Sequence, residues 1–535
     1  MAMEQNKTKR DSFTSGVLIL SLSAIIVKII GLIYKIPMLR LLGSEGMGYF
    51  NSAYELFALF SSIATTGLPV AMAVMIASRR KRGAVFRAAI RLVLVFGVAG
   101  CALMIAFAKP FAGFLGSEMA AISIAAISPA VLLACLSGAY RGYFQGNGKM
   151  APTALSQLIE ALGKLIPGLI LAAVALSLGY SVEVVAAFAV IGLVLGVAAS
   201  LLFLVVFKRI EGKVEALECV GEKGMTASLL KTAIPVTLSS IAVSAMRVAD
   251  MSLIIRRLQA IGLSDEEAFA AYGNYTTLAL PLFSLAPALV TAVAMPLIPA
   301  LSAAVSTRDR AEERRVVREA FKISAIVSMP ISFGLTLFSK PILELIFSGE
   351  DMAINASAPL LCILGISVPL SCAITVGNAI LQAYGRPTVP IISMLAGSLS
   401  KLCVAYFLIS KPSVGLLGAP IGTLVCDMII NGVNFFFISR VLPVEEGEGE
   451  KTRGMIGGMV MPALSAAVSV TVARVAYGFA VSRFGESRLM TASAILLSAV
   501  LYFCAVLMTG SVGREELKSL PILGRLCIEK KKKEI

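Results

Sequence analysis

From about position 14 to about position 510 the chain is a succession of apolar runs, most of about 18 residues or more, separated by short polar segments rich in Lys and Arg. In hydrocarbon each backbone N–H and C=O must be satisfied within the protein, so such runs become helices or closed barrels. The alternation over about ten residues that marks a barrel strand is absent. The chain therefore reads as an all-α polytopic membrane protein. About 14 spans fit, from roughly 14–36 to roughly 489–510. Composition agrees: 58% of residues are hydrophobic and only 15% charged.

The placement of charge argues against nucleic acid as the partner of a chain with net charge +15. Lys and Arg collect in alternate loops, with clusters at Arg79–Arg82, Arg308–Arg318 and Lys530–Lys533. Cytoplasmic loops carry that excess, so both termini are expected in the cytoplasm, with the clusters near anionic lipid. Nine cysteines include no C-x-x-C pair and read as small core residues. Histidine is absent, which removes imidazole acid–base chemistry and the usual zinc sites. The basic N-terminus is followed by no small-residue cleavage site, so the first run is read as a retained span.

One stretch occurs twice. Phe144–Leu165 (FQGNGKMAPTALSQLIEALGKL) aligns without a gap on Leu381–Leu402 (LQAYGRPTVPIISMLAGSLSKL), matching Gly148 to Gly385 and Lys164 to Lys401. Leu22–Lys28 likewise resembles Leu238–Ser244, and Tyr49–Asn51 resembles Tyr272–Asn274. Six spans per repeat leave the two halves in the same orientation. The expected organisation is an N-lobe (1–210), a linker (211–228), a C-lobe (229–440), a loop (441–454), two extra helices (455–510) and a basic tail (511–535).

Ionisable groups inside spans are costly and mark function by default. Lys28 shares a helical face with Lys35, and Asn51 with Glu55; Asn274 begins a similar stripe in span 8. Such stripes face a neighbouring helix or a solvent-filled cavity. Their recurrence on matched helices favours a cavity between the lobes, lined by Lys28, Asn51, Glu55, Lys164, Arg247, Asn274 and Lys401. Glu160 stands one turn before Lys164, and Asp250 three residues after Arg247, so both cations have a local acid within reach. Lys401 and Asp427 have no partner of opposite charge within a turn. A net positive cavity suits an anionic cargo. Asp250, Asn378 and Asp427 are candidates for a coupling cation, and no cofactor or metal is expected. GYFQGNGKM lacks the Gly and Ser/Thr of a phosphate-binding loop, and Gly192-x-x-x-Gly196 reads as a helix-packing element.

Val27–Met72, Ala271–Ser302 and the Gly418–Thr423 segment resemble the polysaccharide-biosynthesis flippases of the stage V sporulation protein B type. That superfamily includes the lipid II flippase MurJ, Wzx flippases and MATE exporters. The resemblance covers nearly the whole chain. It implies a monomer in the bacterial cytoplasmic membrane that moves a polyprenyl-diphosphate-linked saccharide by alternating access. It also implies cavity cations on the diphosphate, a tail groove at spans 13–14, and sodium, protons or the membrane potential as the drive. Lysines stand where MurJ-like proteins tend to use arginines, and a lysine lacks the bidentate fork. The alternatives are a cation-coupled multidrug exporter and a lipid-linked glycan polymerase or ligase. The latter commonly needs a large outer loop, whereas the longest expected here is only 257–268. Lys164→Ala and Lys401→Ala should each impair transport without loss of folded protein; wild-type rates at equal expression would remove both from the cavity.

Overall fold

The first apolar stretch forms two helices that meet at Gly43, together labelled α1 (Ala2–Ser62), and crosses the membrane twice. Its apolar part, Leu22–Ser62, is 41 residues long, about 60 Å if straight and twice the hydrocarbon thickness. Gly43 breaks it, with a φ of 67° that only glycine adopts without strain. Beyond the break the chain folds back: the Tyr34 and Phe50 rings lie 6.1 Å apart, where a straight helix would separate them by about 24 Å. The computed structural model describes residues 2–78, 82–211, 224–442 and 451–509. Most of the Arg79–Arg82 cluster, all of Lys530–Lys533, and most of the expected linker, loop and tail lie outside the described residues.

After a π-helical turn at Ile63–Gly67, α2 (Leu68–Ala77) finishes the second pass. The chain continues through α3 (Arg82–Ala106), the short α4 (Ala108–Leu115), α5 (Ala120–Gly146), α6 (Ala151–Ser177) and α7 (Val182–Glu211). The second group repeats this plan. It runs α8 (Met225–Ala260), α9 (Asp265–Asn274), a π turn at Tyr275–Ala279 and α10 (Leu280–Thr307). Then come α11 (Arg310–Leu337), the short α12 (Ser339–Ile346), α13 (Asp351–Ala383), α14 (Thr388–Ile409) and α15 (Gly418–Val441). Finally α16 (Lys451–Phe484) packs along α11, and α17 (Arg488–Met508) packs on α16. Thirteen described helices are long and apolar enough to span, and the first spans twice, giving the expected fourteen passes.

The internal repeat is visible as geometry. Gly148 and Gly385 both adopt positive φ, 74° and 70°, in the turn before the lysine-bearing helix. The short helices α4 and α12 escaped the sequence reading, although both begin with a repeated Lys-Pro pair, Lys109-Pro110 and Lys340-Pro341. The loop expected at 257–268 is in fact a short turn, because α8 runs through Ala260 and a capping box (Ser264 with Glu267) starts α9 at once. The described cysteines are free.

Each lysine-bearing helix is backed by the closest packing in its group. α6 and α7 meet glycine to glycine: a methyl at Gly163 would press on Gly196 Cα, and one at Gly196 would stand 2.6 Å from the Lys164 backbone nitrogen. The Gly192-x-x-x-Gly196 element is thus a packing seam, as its spacing implies. α14 and α15 also pack closely through glycines, but against larger residues: a methyl at Gly397 would press on Ile430, and one at Gly422 would stand 3.2 Å from the Lys401 carbonyl oxygen. Overpacking of this kind typically costs about 1–3 kcal/mol. Gly196→Leu should therefore lower the thermal unfolding midpoint of the detergent-solubilised protein; an unchanged midpoint would mean that the seam yields.

Candidate functional site: a polar cavity between two helix groups

A cavity of about 520 Å³ separates the first helix group from the second. One wall is the second pass of α1 with α5 and α6; the other is α8 with α14. Hydroxyls of Ser61, Ser62, Thr65, Ser239 and Ser240 give it a polar surface inside an apolar shell. Two arginines face it from opposite sides, Arg141 on α5 and Arg247 on α8. Arg247 stands mid-helix, yet its side chain is 54% exposed, because it projects into this space. Arg141 lies about a turn and a half from the end of α5 and enters where the sequence reading saw only a span boundary.

Acid partners differ from those suggested by spacing. Glu160 pairs with Arg141 at 2.7 Å, and Arg141 also donates to Ser156 and Ser200 at 3.0 Å each. Arg247 pairs with Glu55 across the cavity at 3.7 Å, and Asp250 is taken by Lys401 at 2.6 Å. The local pairs Glu160–Lys164 and Arg247–Asp250 are thus replaced by contacts between helices. A carboxylate with two cations in reach goes to the one whose geometry also satisfies further hydrogen bonds, and Arg141 brings two serines. Four residues of spacing cannot report that choice.

Lys28 and Lys35 reach across to the second group through main-chain acceptors. Lys28 Nζ donates to Ser284 O at 3.3 Å, and Lys35 Nζ donates to Thr276 O at 2.6 Å. The second contact follows from the π turn. Leu280 N–H bonds Tyr275 O, and Pro281 has no N–H, so the Thr276 carbonyl is left for the lysine. Asn51 is buried and donates to the Thr276 and Thr277 hydroxyls at 2.9 and 3.1 Å. Asn274, also buried, keeps its carbonyl oxygen unpartnered among the described residues. Lys164 interacts electrostatically with Glu160 and Lys35. Among the described residues, then, Lys28, Lys35 and Lys164 have no carboxylate in ion-pair contact.

Of the expected cavity residues, Arg247 lines the space and Glu55 joins it through that arginine. Lys28, Lys35 and Asn51 form the adjoining seam between α1 and the α9–α10 pass. Lys401 stands behind the wall within the second group. Asp427 accepts from Ser371, and Asn434 donates to Asn378 at 2.9 Å, so both tie α15 to α13. Asn378 is two helical turns along α13 from Ser371, about 10 Å, too far to share one small ion with Asp427. Asp250, on α8, is paired with Lys401 of α14.

The end of the molecule away from the termini is shut. Arg256 on α8 donates to the Phe114 and Gly113 carbonyls at 2.9 Å each, capping the last turn of α4. Arg40 on α1 donates to Ser348 O at 2.9 Å, just past α12. The offset that aligns Leu22–Lys28 with Leu238–Ser244 also aligns Arg40 with Arg256, so the repeat supplies both clasps. Between them Tyr49 packs on Phe269 with centroids 4.9 Å apart, and Gly48 and Gly273 let the backbones of α1 and α9 meet. Toward the termini the two groups meet where the π turn at Gly67 packs on α8 at Ala233 and Thr237, beside the cavity.

A smaller cavity of about 220 Å³ lies at the closed end beside α12 and the α16–α17 turn, and it has the opposite character. Glu344, Asp351 and Glu486 line it with Arg488. Burial and the Glu486 carboxylate hold Glu344 above the usual carboxylate range, against the pull of Lys340.

Two packed helix groups, a polar space between them and two further helices define a MATE/MurJ-like membrane fold. The model of the "Polysaccharide biosynthesis protein" family matches residues 13–305, more than half of the chain, which belongs to that family. The MatE model matches residues 235–407. Stage V sporulation protein B of Bacillus subtilis (strain 168) is 25% identical over 97% of this chain and 99% of its own length. Lipid II flippase MurJ of the same organism is 23% identical over 72% of this chain and 75% of its own. A solved lipid II flippase MurJ in an inward closed conformation superposes with TM-score 0.70 at 15% identity, covering 92% of this chain and 98% of that one. An inward-facing MATE transporter of the MOP superfamily gives 0.63 at 18% identity, covering 79% and 98%.

Two measurements test these contacts. Removing both clasps, with Arg40→Ala and Arg256→Ala, should lengthen the distance between spin labels at Lys109 and Glu266 in a larger share of molecules; an unchanged distribution would show that the clasps hold nothing. Lys401→Ala now carries a different expectation from Lys164→Ala. It strands Asp250 and should cost about 3–5 kcal/mol of stability, most of it restored when Asp250→Asn is added. Equal midpoints for the single and double variants would argue that the pair contributes nothing.

Proposed function

We propose that this protein is a flippase that moves a polyprenyl-diphosphate-linked saccharide, a peptidoglycan precursor or oligosaccharide lipid, across the bacterial cytoplasmic membrane. The observation that carries the reading is the pair of arginines on opposite walls of one cavity, Arg141 and Arg247. A guanidinium presents a planar fork that fits phosphate oxygens in a bidentate way, which a lysine cannot do. A diphosphate between the two walls would touch both helix groups at once. At an effective dielectric near 20, one such contact at about 4 Å is worth about 4 kcal/mol, enough for several to offset the dehydration of a phosphate.

In this reading both termini are cytoplasmic, the cavity opens to the cytoplasm, and the protein works as a monomer. Residues 1–210 and 229–440 are the moving lobes. Glu55 holds Arg247 across the cavity while cargo is absent. A diphosphate that takes Arg247 releases Glu55 and loosens a tie between the lobes, so binding favours rearrangement. The Arg40 and Arg256 clasps must then part for the saccharide to leave on the far side. The similarity to lipid II flippase MurJ supports this cargo class.

The MatE match supports a second reading, an exporter of organic cations. A cationic drug would need a carboxylate, and Glu55 and Glu160 are both held by arginines. Native mass spectrometry decides between the two. Wild-type protein should retain undecaprenyl diphosphate, and Arg141→Gln/Arg247→Gln should weaken retention at least about tenfold, the equivalent of about 1.4 kcal/mol. Equal retention by both would move the lipid elsewhere; retention of a cationic dye with no lipid would favour the exporter.

A further inference from the structure

The three carboxylate–cation pairs near the cavity are not alike. Arg141–Glu160 and Arg247–Glu55 join groups that reach the cavity, whereas Lys401–Asp250 is sealed within the second helix group, with side chains only 20% and 15% exposed. The Lys401 ammonium donates to Asp250 at 2.6 Å. Asp250 supplies one carboxylate oxygen to it, and its other oxygen, Oδ1, is buried with no hydrogen-bond partner among the described residues. Tyr275, fully buried in the π turn, has a hydroxyl with no hydrogen-bond partner among the described residues and interacts electrostatically with Lys401, Asp250 and Asp427. Asp427, on the next turn of α15 after Thr423, also feels Lys401.

The carboxylates of Asp250 and Asp427 and the Tyr275 hydroxyl, from three separate elements, are hard oxygen donors of the kind that hold a small cation. The chain has put its own cation there. It has also made room for the lysine stem: a methyl at Gly422 would come within 3.3 Å of Lys401 Cγ.

We infer that Lys401 is a tethered ammonium occupying a monovalent-cation site in the second helix group, so that this protein binds no sodium ion there unless the lysine is removed. The site would otherwise take a single positive charge of sodium's size. Lys401 is thus the residue that decides whether the site is open to an external ion. The inference concerns ion binding alone and stands apart from the identity of the cargo.

Thermal unfolding of the purified full-length protein, in sodium chloride and in choline chloride at equal ionic strength, tests it. Wild type should unfold at the same temperature in both. Lys401→Met keeps the stem without the charge and should unfold several degrees higher in sodium, or be recoverable only in sodium. Adding Asp250→Asn to Lys401→Met should remove that response. A sodium response in wild type that Asp250→Asn abolishes would overturn the inference, since the site would then take an ion beside the lysine. So would a folded Lys401→Met indifferent to sodium. If Lys401→Met fails in both salts while the double variant folds, sodium does not replace the ammonium and the inference fails as well.

Discussion

Charge inside an apolar layer must be answered, and the architecture depends on how the chain answers it. Each of Glu55, Glu160 and Asp250 is met by a basic side chain from another helix, never from its own. A buried pair adds little net stability against an apolar alternative, but breaking one is costly, so the pairs specify which helices are neighbours. Two of them lie within a helix group, on α5–α6 and α8–α14. Only Glu55–Arg247 runs between groups. The groups are therefore internally determined, while between them run one long ion pair, hydrogen bonds to main-chain oxygens and to the Thr276 and Thr277 hydroxyls, and close glycine contacts at the closed end and at Gly67 against α8.

The repeat fixes the backbone more faithfully than the chemistry. The offset that aligns Lys164 with Lys401 also aligns Arg141 with Asn378 and Glu160 with Gly397. In the first group that position holds an arginine with a carboxylate and two serines; in the second it holds an amide rung, Asn378 to Asn434. Where Glu160 stands beside α7, Gly397 lets Ile430 close in. Two copies of one helix plan have thus diverged at this position, into an arginine that reaches the cavity in the first group and an amide rung inside the second.

Much of this was legible in the residues. Apolar runs, alternating basic loops and the Phe144/Leu381 repeat define fourteen passes in two groups, and Gly192-x-x-x-Gly196 announces its own packing. What escaped was partner choice. Glu160 precedes Lys164 by a turn, and only the approach of α5 brings Arg141 to take it. Lys401 has no acid within a turn because its acid, Asp250, is on α8. Arg141 itself was hidden at the end of an apolar run, where a cation usually marks the membrane boundary. Local spacing reports what a helix offers; the winner among competing acceptors is decided by helices distant in sequence.

The arginine clasps at the closed end share one property with a consequence for control. Arg40 and Arg256 both donate to main-chain carbonyls, and a guanidinium keeps its proton throughout the physiological range. Neither partner can titrate, and on the acceptor side there is no side chain to alter. The two clasps themselves are therefore insensitive to acid, and any response to pH at this end belongs to the carboxylates beside them, such as Glu344 in the small cavity that Ser348 also lines.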